Sequence, residues 1–240
     1  MKNLIDNIPA GLIKRYEIIN DCLLLNADCY KIIKYLEKYV GGILADPPYG
    51  INFKGKTRST KKGDIYVGGS YRVSHKPIIG DSKPFNPSFL LSKKPTILWG
   101  ANNYCSHLRG NNGWLVWHKD GGIKGFAMSE CELAWTNFLK SIKHISHMWN
   151  GFRRDSETGE KVLHPTQKPI EVMKWCISHL PKDCQVILDP FMGSGTTLVA
   201  CAKMNRKGIG IELDEGYFDI ACKRVEDAYR QPDMFYGGLK

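Results

Sequence analysis

The chain has 240 residues, 42% of them hydrophobic, and a formal net charge of +10. That is enough apolar material for one α/β domain with a sizeable core, and the basic balance allows a polyanionic partner without requiring one. No apolar run approaches the roughly 20 residues of a membrane span. Met1 to Lys14, interrupted by Asp6 and Pro9, lacks the apolar centre of a signal peptide, so a cytoplasmic protein is expected.

In chain order, short apolar runs predict strands at Cys22 to Asn26, Gly42 to Ala45, Thr96 to Trp99, Trp114 to Trp117, Glu132 to Thr136, Ile142 to Trp149, Gln185 to Leu188 and Lys207 to Glu212. Helices are predicted at Cys29 to Tyr39, Pro169 to Leu180, Thr197 to Met204 and Tyr217 to Tyr229. Strand alternating with helix predicts a Rossmann-like, doubly wound, mostly parallel sheet. The strand-rich stretch 100–150 predicts an antiparallel hairpin at one edge. Gln231 to Lys240 reads as a tail.

Eight cysteines, scattered without a Cys-x-x-Cys pair, predict reduced and mostly buried thiols. His144 and His147 stand three apart in a predicted strand, which sends them to opposite faces, and no metal site is expected.

Two motifs stand out. Asp46-Pro47-Pro48-Tyr49-Gly50 follows the strand Gly42 to Ala45, at the sheet edge where α/β ligands sit. The prolines stiffen the backbone and have no N–H to offer. What remains is an arch of acceptors, a carboxylate and some carbonyls, beside an aromatic ring. Such an arch suits the exocyclic amino group of a nucleobase, whose two hydrogens it would accept while Tyr49 stacks on the base. Taken alone, it is equally well a strand-ending turn.

Four residues on begins a basic, Gly-rich stretch. It holds Lys54, Lys56, Arg58, Lys61, Lys62, Arg72 and Lys76 against one acid, Asp64, with Tyr66 and Tyr71 interleaved. An isolated run of this kind is a solvated loop. Beside the arch it suits a phosphate backbone.

The second motif is Val186-Ile187-Leu188-Asp189-Pro190-Phe191-Met192-Gly193-Ser194-Gly195-Thr196-Thr197, a strand, a Gly-rich turn and a helix start. The next predicted strand ends on Glu212. The glycines let a ligand approach the backbone, and an acid about 20 residues on can take ribose hydroxyls. Leu198 stands where a dinucleotide fingerprint has its third glycine, and Thr196 where a P-loop has its lysine, so a nucleoside without a phosphate chain fits best. Asp189 would meet a cationic group of that ligand. Tight strand-helix packing is the structural alternative.

Together these motifs, with His164-Pro165-Thr166-Gln167-Lys168-Pro169, resemble the S-adenosylmethionine-dependent DNA amino-methyltransferases in their permuted, catalytic-then-cofactor order. The resemblance spans about Asn20 to Ala228. It implies a single methyltransferase domain over 1–240 with the class I methyltransferase fold. It implies catalytic roles for Asp46, Pro47, Pro48 and Tyr49, and S-adenosyl-L-methionine bound by Asp28, Lys168, Asp189, Phe191, Gly193, Gly195, Thr196, Thr197 and Glu212. Asp28 matches the acid that contacts the cofactor's adenine, and Lys168 the lysine beside its methionine part.

Asp at the first position of the catalytic motif is typical, in that family, of adenine N6 methylation, whereas Ser there is typical of cytosine N4. The implied reaction is direct methyl transfer to a base flipped out of double-stranded DNA. Cytosine-N4, RNA or protein methylation and a non-catalytic cofactor-binding DNA protein are the alternatives. In one departure from many permuted relatives, only Gly151 to Leu163 precedes the His164 segment where a target-recognition domain would lie. Recognition is therefore expected from the basic insertion 52–83, the turn Lys119 to Lys124, and Arg153 and Arg154 in the short connector 151–163. A homodimer and a cognate restriction nuclease are the partners this reading leaves open.

Overall fold

The structure is a computed structural model that describes residues 2–52, 78–119, 129–150, 153–160, 162–164 and 166–230. After a short helix α1 (Lys2–Ile5), the chain forms β1 (Ile13–Ile19), β2 (Cys22–Ala27), α2 (Cys29–Leu36), β3 (Gly42–Ala45), β4 (Thr96–Trp99), β5 (Trp114–His118), β6 (Cys131–Thr136) and β7 (Lys143–Ser146). A two-residue pair follows, β8 (Trp149–Asn150) and β9 (Arg153–Arg154). Then come α3 (Ile170–His179), β10 (Val186–Asp189), α4 (Thr196–Lys203), β11 (Lys207–Glu212) and α5 (Glu215–Arg230).

Nine strands make one sheet in the order β1-β2-β11-β10-β3-β4-β6-β5-β7. The five strands from β2 to β4 are mutually parallel, β1 is antiparallel to β2, and β6 runs antiparallel to both β4 and β5. From β10 the chain crosses through α4 to β11 on one side, while from β3 it continues to β4 on the other. The topological switch therefore lies between β10 and β3, and the crevice beyond their carboxyl ends is the place for a ligand.

Side-chain alternation sends each strand's residues to two apolar layers. Cys22, Leu24, Leu44, Ile97, Trp99 and Ile187 pack under α3, α4 and α5. Leu23, Leu25, Ile43, Leu98, Leu188 and Ile209 pack on α2 and the 3-10 turn Pro87–Leu90. Both faces are covered, which is why β2 and β3 are buried at every residue.

Helix α2 starts because the Asp28 carboxylate accepts the Tyr30 N–H at 3.0 Å. Its Ile32, Ile33 and Leu36 form the buried stripe. Helix α4 is buried along nearly its whole length, between α3 and α5 and against the sheet. Its start needs Gly195, whose φ is +80° and whose missing Cβ would stand 2.9 Å from that of Ala221.

Two features depart from the sequence reading. The sheet has a second antiparallel edge, β1, whose residues are mostly exposed and so carry little apolar pattern. The predicted strand 142–149 is broken, with β7 lying parallel to β5. His147 leaves the strand, becomes buried, and pairs its Nε2 with the Ser156 hydroxyl at 2.9 Å. The Met148 N–H then turns to the Asp155 carboxylate at 2.6 Å, which directs the chain into the β8/β9 pair. No helix among the described residues is long and apolar enough to cross a membrane.

Phe218 is fully buried where α5 meets the sheet, with the Arg15 guanidinium 4.7 Å over its ring. Phe218→Ala is expected to cost about 3–5 kcal/mol of stability, read as a fall in the urea midpoint; a loss below about 1 kcal/mol would show that α5 docks by other contacts.

Candidate active site

The two motifs open on one cleft of about 340 Å³. Asp46, Pro47, Pro48 and Tyr49 line one side, Phe191, Gly193 and Glu212 another, and Asp28 a third. The volume lies in the range of small-molecule sites.

The arch is held by a buried ionic cluster. Tyr49 donates its hydroxyl to Asp46 Oδ1 at 2.6 Å, and Lys168 Nζ lies 2.7 Å from Asp46 Oδ2. Lys168, only 5% exposed, also meets Glu132 Oε2 at 3.1 Å and donates to the Tyr49 oxygen at 3.2 Å. Lys119 takes the other oxygen of Glu132 at 2.5 Å. Burial pushes the Asp46 carboxyl up, against the pull of Lys168, and the Glu132 charge adds to the rise. Burial would raise Glu132 too, but Lys168 and Lys119 together hold it at about 2. Lys168 stays protonated: burial alone would drive its proton off, and the two carboxylates more than reverse that.

Backbone shape sets the Tyr49 ring. Gly100, at φ +68°, would place a Cβ 2.0 Å from the ring, so only glycine leaves room there. Beyond the ring, the buried Asp81 accepts the Gly50 N–H at 2.8 Å and fixes the turn that ends the arch.

On the Gly-rich side, Glu212 caps the end of β11. Its oxygens accept the Gly193 N–H at 2.9 Å and the Asp214 N–H at 2.8 Å. Asp189 is also engaged, accepting the Phe191 N–H at 3.0 Å and the Thr197 hydroxyl at 2.5 Å. It therefore pins the loop, and with Lys168, Thr196 and Thr197 it borders a smaller cavity of about 40 Å³. Phe191 meets Tyr30, Phe85 and Phe89 edge to face, which gives the cleft an aromatic wall.

The chemistry of this donor set fits S-adenosyl-L-methionine. Aromatic and aliphatic walls suit a purine, Glu212 and Asp28 at adjacent strand ends suit hydroxyl and amino donors, and Gly193 at φ +51° keeps the loop free of side chain.

Several residues in this arrangement escape the sequence reading. Glu132 is visible only as the one acid of the mostly apolar strand β6. Arg224 shows itself only by sitting beside the buried stripe Phe218, Ala221 and Val225 of α5. It donates to the Ser194 carbonyl at 2.8 Å and the Thr196 hydroxyl at 3.0 Å. Glu157, 3.6 Å from Arg224, accepts the Ile170 N–H at 2.9 Å and so ties the connector to α3 and the Gly-rich loop. No local signal marks Asp81 or Gly100.

Of the expected DNA contacts, Lys54, Lys56, Arg58, Lys61, Lys62, Arg72 and Lys76 lie outside the described residues, as does the side chain of Arg153. Arg154 stacks 4.6 Å over the Trp149 ring and donates to the Glu160 carbonyl at 3.0 Å. Of the expected recognition turn Lys119 to Lys124, Lys119 reaches inward to Glu132 and 120–124 lie outside the described residues.

Burial pushes Asp189 up to about 7, against the hydrogen bonds from Thr197 and Phe191, with Asp46 and Glu212 adding to the rise. In the unfolded chain it titrates near 3.9. Between those values the folded state binds the extra proton, so its contribution to stability is present below about pH 4 and lost as pH rises through about 7. Asp189→Asn, which keeps an acceptor for Phe191, is expected to gain stability over the parent at pH 8 but not at pH 4 in urea unfolding. A difference independent of pH would contradict the assignment.

A family model described as DNA methylase, for N6 and N4 methyltransferases, matches residues 111–223. The type II methyltransferase M2.DpnII of Streptococcus pneumoniae is 27% identical over 250 residues, covering 89% of this chain and 92% of that protein. M.HindIII of Haemophilus influenzae is 46% identical over 66 residues, 28% of this chain; the match spans only 21% of that protein's length. The solved PvuII DNA methyltransferase (cytosine-N4-specific) shares the fold, with a TM-score of 0.54 at 13% identity over 91% of this chain and 95% of its own. The family match over part of the chain and the relative aligned along most of it support a DNA amino-methyltransferase, and the shared sheet supports the fold.

Proposed function

We propose that the protein methylates the N6 amino group of adenine in double-stranded DNA. The observation that carries this reading is that the acceptor arch and the Gly-rich loop face one cleft. Asp46 at the head of the arch supports adenine over cytosine, by its resemblance to the adenine-specific motif. The relatives are named as type II methyltransferases, which supports a DNA substrate and a restriction-modification setting.

In this reading Glu212 holds the ribose, Asp28 the adenine amino group, and Phe191 the adenine face. Lys168, Asp189 and the loop over Thr196 and Thr197 border the methionine end. When bound, S-adenosyl-L-methionine supplies an electrophilic methyl group and leaves as a neutral thioether. The target base enters the cleft flipped out of the duplex, because its amino group is out of reach while stacked. Tyr49 offers its ring to the base, and Asp46 with the Pro47 carbonyl accepts the amino hydrogens. That localises the nitrogen lone pair and aims it for in-line attack. The nitrogen then gives up one proton, and Asp46, raised by burial, is the nearest base of the arch to receive it. The basic insertion 52–83, with Arg153 and Arg154, would hold the phosphate backbone.

The test is transfer of labelled methyl from S-adenosyl-L-methionine to duplex DNA, followed by nucleoside analysis. N6-methyladenine is expected. Label in N4-methylcytosine would overturn the base assignment, and label in RNA or protein but not DNA would overturn the substrate. Asp46→Ala is expected to lower kcat by about 100-fold or more with cofactor binding retained. Full activity in that variant would remove Asp46 from the mechanism.

A further inference from the structure

Both oxygens of Asp46 are engaged, one by the Tyr49 hydroxyl and one by the Lys168 ammonium. A carboxylate so occupied is a poor receiver for an amino group. Lys168 has a second carboxylate within reach, however: Glu132 Oε2 at 3.1 Å, against 2.7 Å for Asp46 Oδ2. A small movement of the ammonium exchanges one for the other.

We propose that Glu132 is a positioning residue that draws Lys168 off Asp46 as the base enters, leaving Asp46 Oδ2 free to accept an amino hydrogen. The consequence for turnover rests on the methyltransferase reading above; the ammonium shared by two carboxylates is a property of the unliganded chain.

Three features of the geometry support it, and the balance of charge agrees with them. Glu132 stands on β6, separated from the Asp46-bearing β3 only by β4, so the two carboxylates flank one ammonium. Lys119 grips the far oxygen of Glu132 and leaves the near one to Lys168. The rings of Trp99 and Tyr49 lie 5.3 and 5.9 Å from Lys168 Nζ and favour a cation between the two acids. Glu132, though buried, is held at about 2 by its two lysines, while Asp46 is raised by burial, so Glu132 is the firmer counter-ion. Asp189 and Tyr104 also face Asp46, and Cys176 lies beside Lys168; none of the three bonds to the ammonium.

The experiment is a carbon-13 carboxyl titration of Asp46 by NMR in the unliganded protein, with two variants. Glu132→Gln removes a negative charge and leaves Lys168 wholly to Asp46, so the Asp46 pKa moves down. Lys119→Met frees Glu132 to hold Lys168 more firmly, so the Asp46 pKa moves up. Shifts of opposite sign are expected. An unmoved Asp46, or shifts of the same sign, would overturn the proposal.

With S-adenosyl-L-methionine and duplex DNA, Glu132→Gln is expected to lower kcat about tenfold or more at unchanged cofactor KM, with partial recovery in Glu132→Asp. An unchanged kcat would also overturn it. Absence of transfer by the parent protein would overturn the functional reading alone, and the titration would still decide the role of Glu132.

Discussion

A buried ammonium fixes the architecture of this site. Lys168 is almost wholly removed from water, and a cation there is stable only if carboxylates replace its hydration. Asp46 comes from the end of β3 and Glu132 from β6, while Lys168 itself comes from the segment that leads into α3. The charge is balanced only when β3, β4 and β6 lie side by side in the sheet and α3 is docked. The cluster thus couples correct strand order to the shape of the arch. Tyr49 joins through its hydroxyl, and Gly100 at the end of β4 gives its ring a slot.

The other half of the cleft obeys a different constraint. A Gly-rich turn has few side chains with which to fix itself, so neighbouring acids and a cation hold its backbone. Glu212 takes the Gly193 N–H, Asp189 the Phe191 N–H, and Arg224 the Ser194 carbonyl. Glu157 extends the same network to the first turn of α3. Binding chemistry and loop support are therefore carried partly by the same residues: Glu212 shapes the loop and lines the cleft at once.

What was legible in the sequence follows from what is local. Apolar runs gave the parallel strands, glycines marked the turn after β10, and prolines marked the arch after β3, because each leaves its signature within a few residues. Glu132, Arg224 and Asp81 act through contacts with residues far along the chain, and the sequence holds no record of which acid meets which base. Strand β1 was missed for a related reason: an exposed edge strand needs no apolar alternation, since only its backbone is paired. The role of Asp189 was readable only in part, because its acidity was visible while the Thr197 and Phe191 donors that occupy it became evident only in three dimensions.

The distribution of charge separates two tasks that a net value of +10 would merge. Five carboxylates, Asp28, Asp46, Asp81, Glu212 and Asp214, line the cleft, and among the described residues no lysine or arginine does. An acidic cleft in a basic chain is costly for a polyanion to enter, yet favours a cationic small molecule. On the proposed function, a DNA backbone would therefore be held at the periphery while a single flipped base, itself neutral, crosses into the acidic interior. Lys168 is the exception that makes this workable. Placed just behind the arch, it offsets the charge of Asp46 without lining the cleft, and Glu132 in turn limits how much of that offset Asp46 receives. On the proposed function, the acceptor that would meet the base is thus neither a free carboxylate nor a fully neutralised one, as an amino group that must be gripped and then deprotonated requires.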